Sequence, residues 1–514
     1  MKEKFDFSLN KLKSSHSIEL RSIYLAFLST TITMLKKITL ALLTLCAANL
    51  TAQTGSAWNN CGGNPQKNGF VNTNGPATDS ILWEVYSPGY FGIPSFIENN
   101  YLVTMRFLSQ TYAPIECYDL TTGDLLWSQD VTGQSGRSRP VGLRDNRIYA
   151  VRYTESSNDT LYALDASTGN QLWTAAVTVA PYITTSATFD DDGFVYIEGN
   201  QKIYKLDPAN GELIWEMPTI PLASGSGEIA INSAINKGYT VEQIQGQTFV
   251  WAIDLNTGEK LYNHIVNETF PGGGILQAPL MIGFDGVVYV QKQEDNISAF
   301  ADSGSEFTLL WETPISGNAP FSHMCIGADG SIYGTSDGHV IRVNAQTGAI
   351  MNTSQSIAQD GVFTQRTSAT ANGMIYATNG ADSLYAFNST LELMWSAQIE
   401  GVNTSGACIA PNGLLVVSGA QKIRVYTPTI ESNVNEIAQA HVSCYPNPTN
   451  ANTFIVAQPE LIGTTYSLHD MQGSLVERGV IRSAVNTLTL EHLPCGIYIL
   501  HTGASSAGIR IVKE

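Results

Sequence analysis

Residues Leu161-Tyr162-Ala163-Leu164-Asp165-Ala166-Ser167-Thr168-Gly169-Asn170-Gln171-Leu172-Trp173 decide the fold. An alternating apolar run leads to Asp165, a turn carries Gly169, and a second short run ends in Trp173, which reads as a β-hairpin. The same unit recurs at 115–127, 203–215 and 250–262, with weaker copies at 297–311, 340–352 and 384–395. The terminal position falls at Trp83, Trp127, Trp173, Trp215, Tyr262, Trp311, Asn352 and Trp395, at intervals of 41 to 49 residues. Such a period fits a four-stranded β-unit, not a pair of helices.

Between the hairpins lie Gly193-Phe194-Val195-Tyr196, Gly286-Val287-Val288-Tyr289, Gly330-Ser331-Ile332-Tyr333, Gly373-Met374-Ile375-Tyr376 and Gly413-Leu414-Leu415-Val416. Each follows Asp or Asn, the turn chemistry of a tight hairpin. The repeats begin with an unpartnered strand, Ile81-Leu82-Trp83-Glu84-Val85, and end with another, Ile423-Arg424-Val425-Tyr426. Pairing these two closes a ring and removes its exposed edges. The expectation is an all-β, eight-bladed propeller, with seven blades as the alternative if one weak copy is not a blade.

The chain has 514 residues, 43% of them hydrophobic, enough for one large core and one small one. Its formal charge is -18, and -22 without the first 52 residues, which hold seven basic and three acidic side chains. A field of that sign repels phosphate backbones and excludes nucleic acid as the expected partner. Met34-Leu35-Lys36-Lys37, the apolar stretch 38–45 and the small residues to Ala52 have the three regions of a signal peptide. Residues 1–52 therefore read as leader and signal, with Met34 as the true start. Lys36 and Lys37 interrupt the apolar run before it reaches the roughly 20 residues of a membrane span, so no transmembrane anchor is expected.

The pattern Ala163-Leu164-Asp165 to Trp173 resembles the repeat of pyrroloquinoline-quinone-type propellers, a family of quinoprotein dehydrogenases and non-enzymatic barrel-assembly lipoproteins. The opening Trp58-Asn59-Asn60-Cys61-Gly62-Gly63-Asn64-Pro65-Gln66-Lys67-Asn68-Gly69 is similar to the lead-in of that superfamily, and the likeness spans 58–427. It implies that Trp83, Trp127, Trp173, Trp215, Trp311 and Trp395 are structural, docking neighbouring blades through large buried rings.

A polar linker, 428–443, precedes a second module at 444–514. Its segments read as a small immunoglobulin-like β-sandwich. Tyr445-Pro446-Asn447-Pro448, the turn Asp470 to Gly473, the strand around Pro494, Gly496 and Tyr498, and the terminal strand with Lys513 resemble, in order and spacing, the type A sorting domain of type IX secretion. This resemblance implies Sec export, passage through the type IX machinery, and removal of the module with release or attachment at the cell surface. The alternative is an adhesion module that stays on the chain.

Motifs for chemistry are few. Gly334-Thr335-Ser336-Asp337-Gly338 has the spacing of a nucleophile elbow, but a strand follows where a helix is required. Asp190-Asp191-Asp192-Gly193 reads as a solvated turn, without the downstream Glu of a calcium loop. His264, His323 and His339 lie in separate repeats without metal spacing, and Pro271-Gly272-Gly273-Gly274 lacks the Lys of a phosphate loop. The six cysteines beyond the leader form no CxxC or adjacent pair; Cys444 and Cys495 could pair within the C-terminal module under oxidising conditions, and the disulfide state stays open. No catalytic residue, metal or cofactor is assigned. The expected function is a secreted or surface-bound binding or scaffold protein whose ligand is a protein or a glycan. Tyr-rich loops at 86–91 and at Tyr182 are candidate contacts. A quinone-dependent dehydrogenase is the alternative.

Overall fold

The computed structural model describes residues 58–86, 95–109, 112–131, 137–152, 160–179, 186–199, 201–219, 229–244, 247–267, 280–292, 296–316, 323–357, 366–379, 381–399, 406–419, 421–428, 443–456, 461–502 and 509–514. The leader, the linker, Tyr182, the glycines at 272–274 and most of the Tyr-rich loop 86–91 lie outside them. Two compact units emerge, Met1–Thr429 and Ile430–Glu514.

In the first unit the described strands form eight sheets, seven of four strands and one of five. Six follow chain order, from Phe96–Glu98 of the first to Ile350–Ser356 of the sixth. The seventh, starting at Thr367–Thr370, gains a fifth strand from Phe70–Val71, which pairs in parallel. In the eighth, the strand Ile81–Tyr86 pairs antiparallel with Lys422–Tyr426, setting Trp83 opposite Val425. The two unpartnered ends of the sequence thus meet, as the closure argument requires.

Each sheet runs outward from its first strand, and the outermost strand carries a bulge just before its Trp or the substitute. The bulge leaves Leu126, Leu172 and Ile214 nearly half exposed. Breaking the ladder at the same point on every outer edge protects it against pairing with another chain. Inner strands are buried almost throughout, as in the BBBB pattern of Val195–Glu198.

The second unit has a three-stranded sheet of Ser443–Tyr445, Asn452–Val456 and Val485–Thr489, and a four-stranded sheet built on Thr465–Asp470 and Gly496–Thr502. Both contribute to one core of Ile455, Leu468, Leu488, Leu490, Tyr498, Leu500 and Ile511. Cys444 and Cys495 are free thiols. Cys444 sits on the three-stranded sheet, whereas Cys495 directly precedes a strand of the four-stranded one.

Candidate functional site

The recurring Asp and Gly build one turn, and the preceding sheet's Trp reads it. Asp165 Oδ1 accepts from the backbone N–H groups of Ser167 and Thr168, fixing the turn. Its Gly169, at φ 72°, lies so close to the Trp127 ring that a Cβ there would sit 2.8 Å from it. The Trp127 indole N–H donates to Ala166 O at 2.9 Å. Trp83 reaches Leu120 O, Trp173 reaches Pro208 O, Trp215 reaches Leu255 O and Trp311 reaches Ala345 O, always the residue after the Asp or Asn. Each ring buries apolar area and satisfies a carbonyl, a net gain of about 0.5–1.5 kcal/mol for the hydrogen bond.

The exceptions compensate locally. Trp395 donates to Pro76 O, because the eighth sheet takes its outer strand from the N-terminal side of the chain. Where Asn352 replaces Trp, the Tyr333 hydroxyl donates to Ser389 O instead, and the facing turn holds Leu391 at φ 65° in place of glycine. Where Tyr262 stands, its hydroxyl and that of Tyr239 bond the Asp302 carboxylate, which also binds Lys237 Nζ at 2.9 Å. Burial pushes the Asp302 carboxyl upward, but the bonds from Tyr262, Lys237 and Tyr239 outweigh it and hold it below its ordinary value.

The lead-in segment 58–71 is largely buried at the centre of the unit. Backbone N–H groups on the first strands of successive sheets donate to its carbonyls: Ile97 to Trp58, Leu143 to Asn59, Ile231 to Pro65, Ile282 to Gln66, Ile326 to Asn68 and Ala369 to Gly69, all within 2.8–3.2 Å. Ser186 Oγ, beside the third sheet, accepts from Cys61 N. Asparagines hold the segment's own coil, with Asn60 Nδ2 on Asn64 O and Asn64 Nδ2 on Asn68 Oδ1. Gly62 is required because a Cβ would lie 2.5 Å from Lys67 Cα. The similarity of these residues to a superfamily lead-in gave no hint that they form a plug.

On one side of the plug a small cavity of about 10 Å³, room for a single water, is lined by Trp58, Cys61, Gly62, Gly69, His323, Met324, Arg366, Thr367, Gly406 and Ala407. Arg366 Nη1 donates to Cys61 O at 3.4 Å. Neither Trp58 nor Arg366 was singled out as a binding residue from sequence, and His323 was read as an ordinary core or surface histidine.

Other motifs resolve into structure. Ile332–Ser336 and His339–Val343 form a hairpin around Asp337 and Gly338, not an elbow. Asp190 corrects the solvated-turn reading: it is 8% exposed, accepts from Phe194 N and Tyr196 Oη, and faces Lys205 at 3.5 Å. Only Asp191 and Asp192 of that run are exposed. His264 Nδ1 lies 2.7 Å from Ile265 O, and His339 Nδ1 lies 2.8 Å from Ser354 O.

In the second unit the expected landmarks hold the last strand. Asn447 Nδ2 donates to Arg510 O and its Oδ1 accepts from Val512 N, while the Tyr445 backbone pairs with Phe454. Pro446 and Pro448 flank this clamp. Asp470 Oδ1 accepts from Gln472 N and Ser474 N, closing the turn at Gly473. Tyr498 Oη donates to Pro494 O, Gly496 pairs with Lys513, and Lys513 is buried.

Residues 443–513 match the family model "Secretion system C-terminal sorting domain", and residues 67–277 match "Outer membrane protein assembly factor BamB". The chain joins a quinoprotein-like repeat domain to a type IX sorting domain. Its sorting domain marks it for type IX secretion, to the cell surface or the extracellular space. No helix among the described residues is long and apolar enough to cross a membrane. The repeat domain is propeller-like: the chain aligns with a europium-containing methanol dehydrogenase at TM-score 0.54 and 12% identity, over 72% of this chain and 91% of that one. A quinohemoprotein alcohol dehydrogenase from Comamonas testosteroni aligns at 0.51 and 12%, over 75% and 84%. At these identities the likeness shows the fold alone. Among curated proteins, none matches the chain in sequence.

Proposed function

We propose that the repeat domain is a closed eight-bladed propeller acting as a non-enzymatic binding or scaffold protein at the cell surface. The observation that carries this reading is the plug: residues 58–71 occupy the centre, bonded to strand after strand around it. A quinone and its calcium, which the dehydrogenase members of the family imply, do not fit the described residues. Among the described residues no three His, Cys, Asp or Glu side chains gather to hold a metal. Eight blades are supported by the inter-sheet contacts, which run from sheet to sheet and return from Trp83 on the eighth to Leu120 on the first.

Further proposals follow from the tail. Residues 1–52 are removed after Sec export, 58–427 form the propeller, 428–443 the linker, and 444–514 an immunoglobulin-like sandwich recognised by the type IX machinery. Tyr445, Asn447, Asp470, Gly473, Tyr498 and Lys513 then act by shaping the terminal strand that the machinery meets. Adding quinone and calcium to the purified protein is expected to give neither dye-linked alcohol oxidation nor a thermal shift, and a pull-down with surface glycans and envelope proteins is expected to retain a ligand. Quinone-dependent oxidation overturns the non-enzymatic reading.

A further inference from the structure

We propose that the outer face of the four-stranded sheet in the C-terminal unit is the surface by which the type IX machinery reads this chain, and that it fits an acidic, partly apolar protein surface. This rests on the reading of 444–514 as the recognised module and names the face involved. Ser467 lies opposite Arg478 on one neighbouring strand and His501 on the other, while Ile499, opposite His469, also faces Arg510 on the terminal strand. Leu468, between Ser467 and His469, is fully buried in the unit's core. Alternation along the strand therefore turns Ser467, His469 and their partners outward.

Charge sorts by side. The two acids of these strands, Glu477 and Asp470, pair in register with Leu468 and Tyr498 and so belong to the inner side. Glu477 accepts from Tyr466 Oη, and Asp470 is committed to its turn. The outer side keeps Arg478 and Arg510, both exposed, with His469 and His501 between them and no carboxylate among its strand residues. Glu514 lies beyond the end of the terminal strand. Of the four Lys and Arg in 443–514, two are on this side and Lys513 is buried. Register also places Leu475 and Val480 outward, 51% and 43% exposed, and alternation from buried Tyr498 does the same for Ile497. Apolar area flanked by cations suits a protein surface with acidic groups better than it suits a glycan, in a chain that is otherwise acidic.

Two of the sorting landmarks hold this face without lying on it. Asn447 Nδ2 donates to Arg510 O and its Oδ1 accepts from Val512 N, which fixes the strand that carries Arg510. His469 Nδ1 lies 3.1 Å from Gly473 O in the landmark turn, and its Nε2 lies 3.1 Å from Ser467 Oγ. The His501 ring stands 5.5 Å from that of His469. Asn447 and Gly473 are thus positioning residues, and the two arginines supply the contact.

Export of the full chain tests the assignment, read as the amount outside the cells against the amount retained, in a host with working type IX machinery and in one where it is disabled. Wild type is expected outside only in the first. Arg478→Glu with Arg510→Glu is expected to lower export by about tenfold or more, and Arg478→Lys with Arg510→Lys to keep most of it. Thermal unfolding of the purified variants shows whether each is folded; if the double reversal is not, Arg510→Gln carries the test with a smaller loss in the same direction. Normal export of the folded reversals, or lysine variants no better than the reversals, overturns the proposal. Normal export with loss of cell-surface retention also overturns it, in favour of an acidic glycan. If the reversals leave export intact while the disabled host still retains wild type, only this face falls; if the disabled host exports wild type, the type IX reading falls with it.

Discussion

The Trp127 indole donates to Ala166 O while its ring covers Gly169, so one side chain reads both the carbonyl and the missing Cβ of the neighbouring turn. Gly169→Ala then meets two penalties, a positive φ of 72° and a methyl 2.8 Å from the ring. Gly330→Ala meets only the first, since nothing lies within 4 Å at φ 77°. Urea unfolding is expected to give about 1 kcal/mol for Gly330→Ala and about 2–4 kcal/mol for Gly169→Ala. Equal losses sink the docking account.

At the closing seam Glu84 contacts Lys422 at 3.1 Å and Arg424 at 2.5 Å. Burial raises its carboxyl, but the bonds from Lys422 and Arg424 prevail and hold it below its ordinary value. A depressed folded-state pKa stabilises above the unfolded value of about 4.3 and stops doing so as pH falls through the folded one. Glu84→Gln is therefore expected to be less stable at pH 7, by about 1 kcal/mol or less because the pair is partly exposed. The gap between the two proteins closes as pH falls through the folded-state value of Glu84. A gap that persists in acid contradicts this.

Asp302 gathers Lys237, Tyr239 and Tyr262 in place of the Trp and glycine contact. Asp302→Ala strands a Lys237 side chain only 12% exposed, an expected cost of about 3–5 kcal/mol. Replacing Lys237 with Met in the same chain is expected to recover most of that loss. A double variant no better than Asp302→Ala argues against the charge as the cause.

Burial pushes the thiols of Cys117, Cys325 and Cys408 up to about 12, and that of Cys444 to about 11. In the native protein at pH 8 a thiol reagent is expected to modify exposed Cys495 first and Cys444 slowly, with the four buried propeller thiols, Cys61, Cys117, Cys325 and Cys408, appearing only on denaturation. Prompt labelling of Cys325 or Cys408 under native conditions runs against the packed inner strands.

The hairpins, their period and the meeting of the strands around Trp83 and Val425 were legible because each depends on local alternation and turn residues. The cavity was not. It is assembled from Trp58, His323 and Arg366, far apart in sequence, and no spacing rule brings them together. Asp190 was misread for a similar reason: its run of acids looks like a surface turn, and only Lys205 and Tyr196 across the sheet make it an interior anchor. The copies at 340–352 and 384–395 read as weaker repeats, and there Asn352 and Leu391 stand in place of Trp and Gly while Tyr333 supplies the hydrogen bond.

The seam between Glu84 and Arg424 joins positions 340 residues apart. Contacts of such sequence separation form late and slowly, because the entropy of closing the intervening loop is lost before the contact contributes. Until the final repeat is available, the plug lacks part of its surroundings and the first and last sheets keep open edges. The chain is thereby kept from locking prematurely: its architecture makes completion wait for the arrival of its own far end.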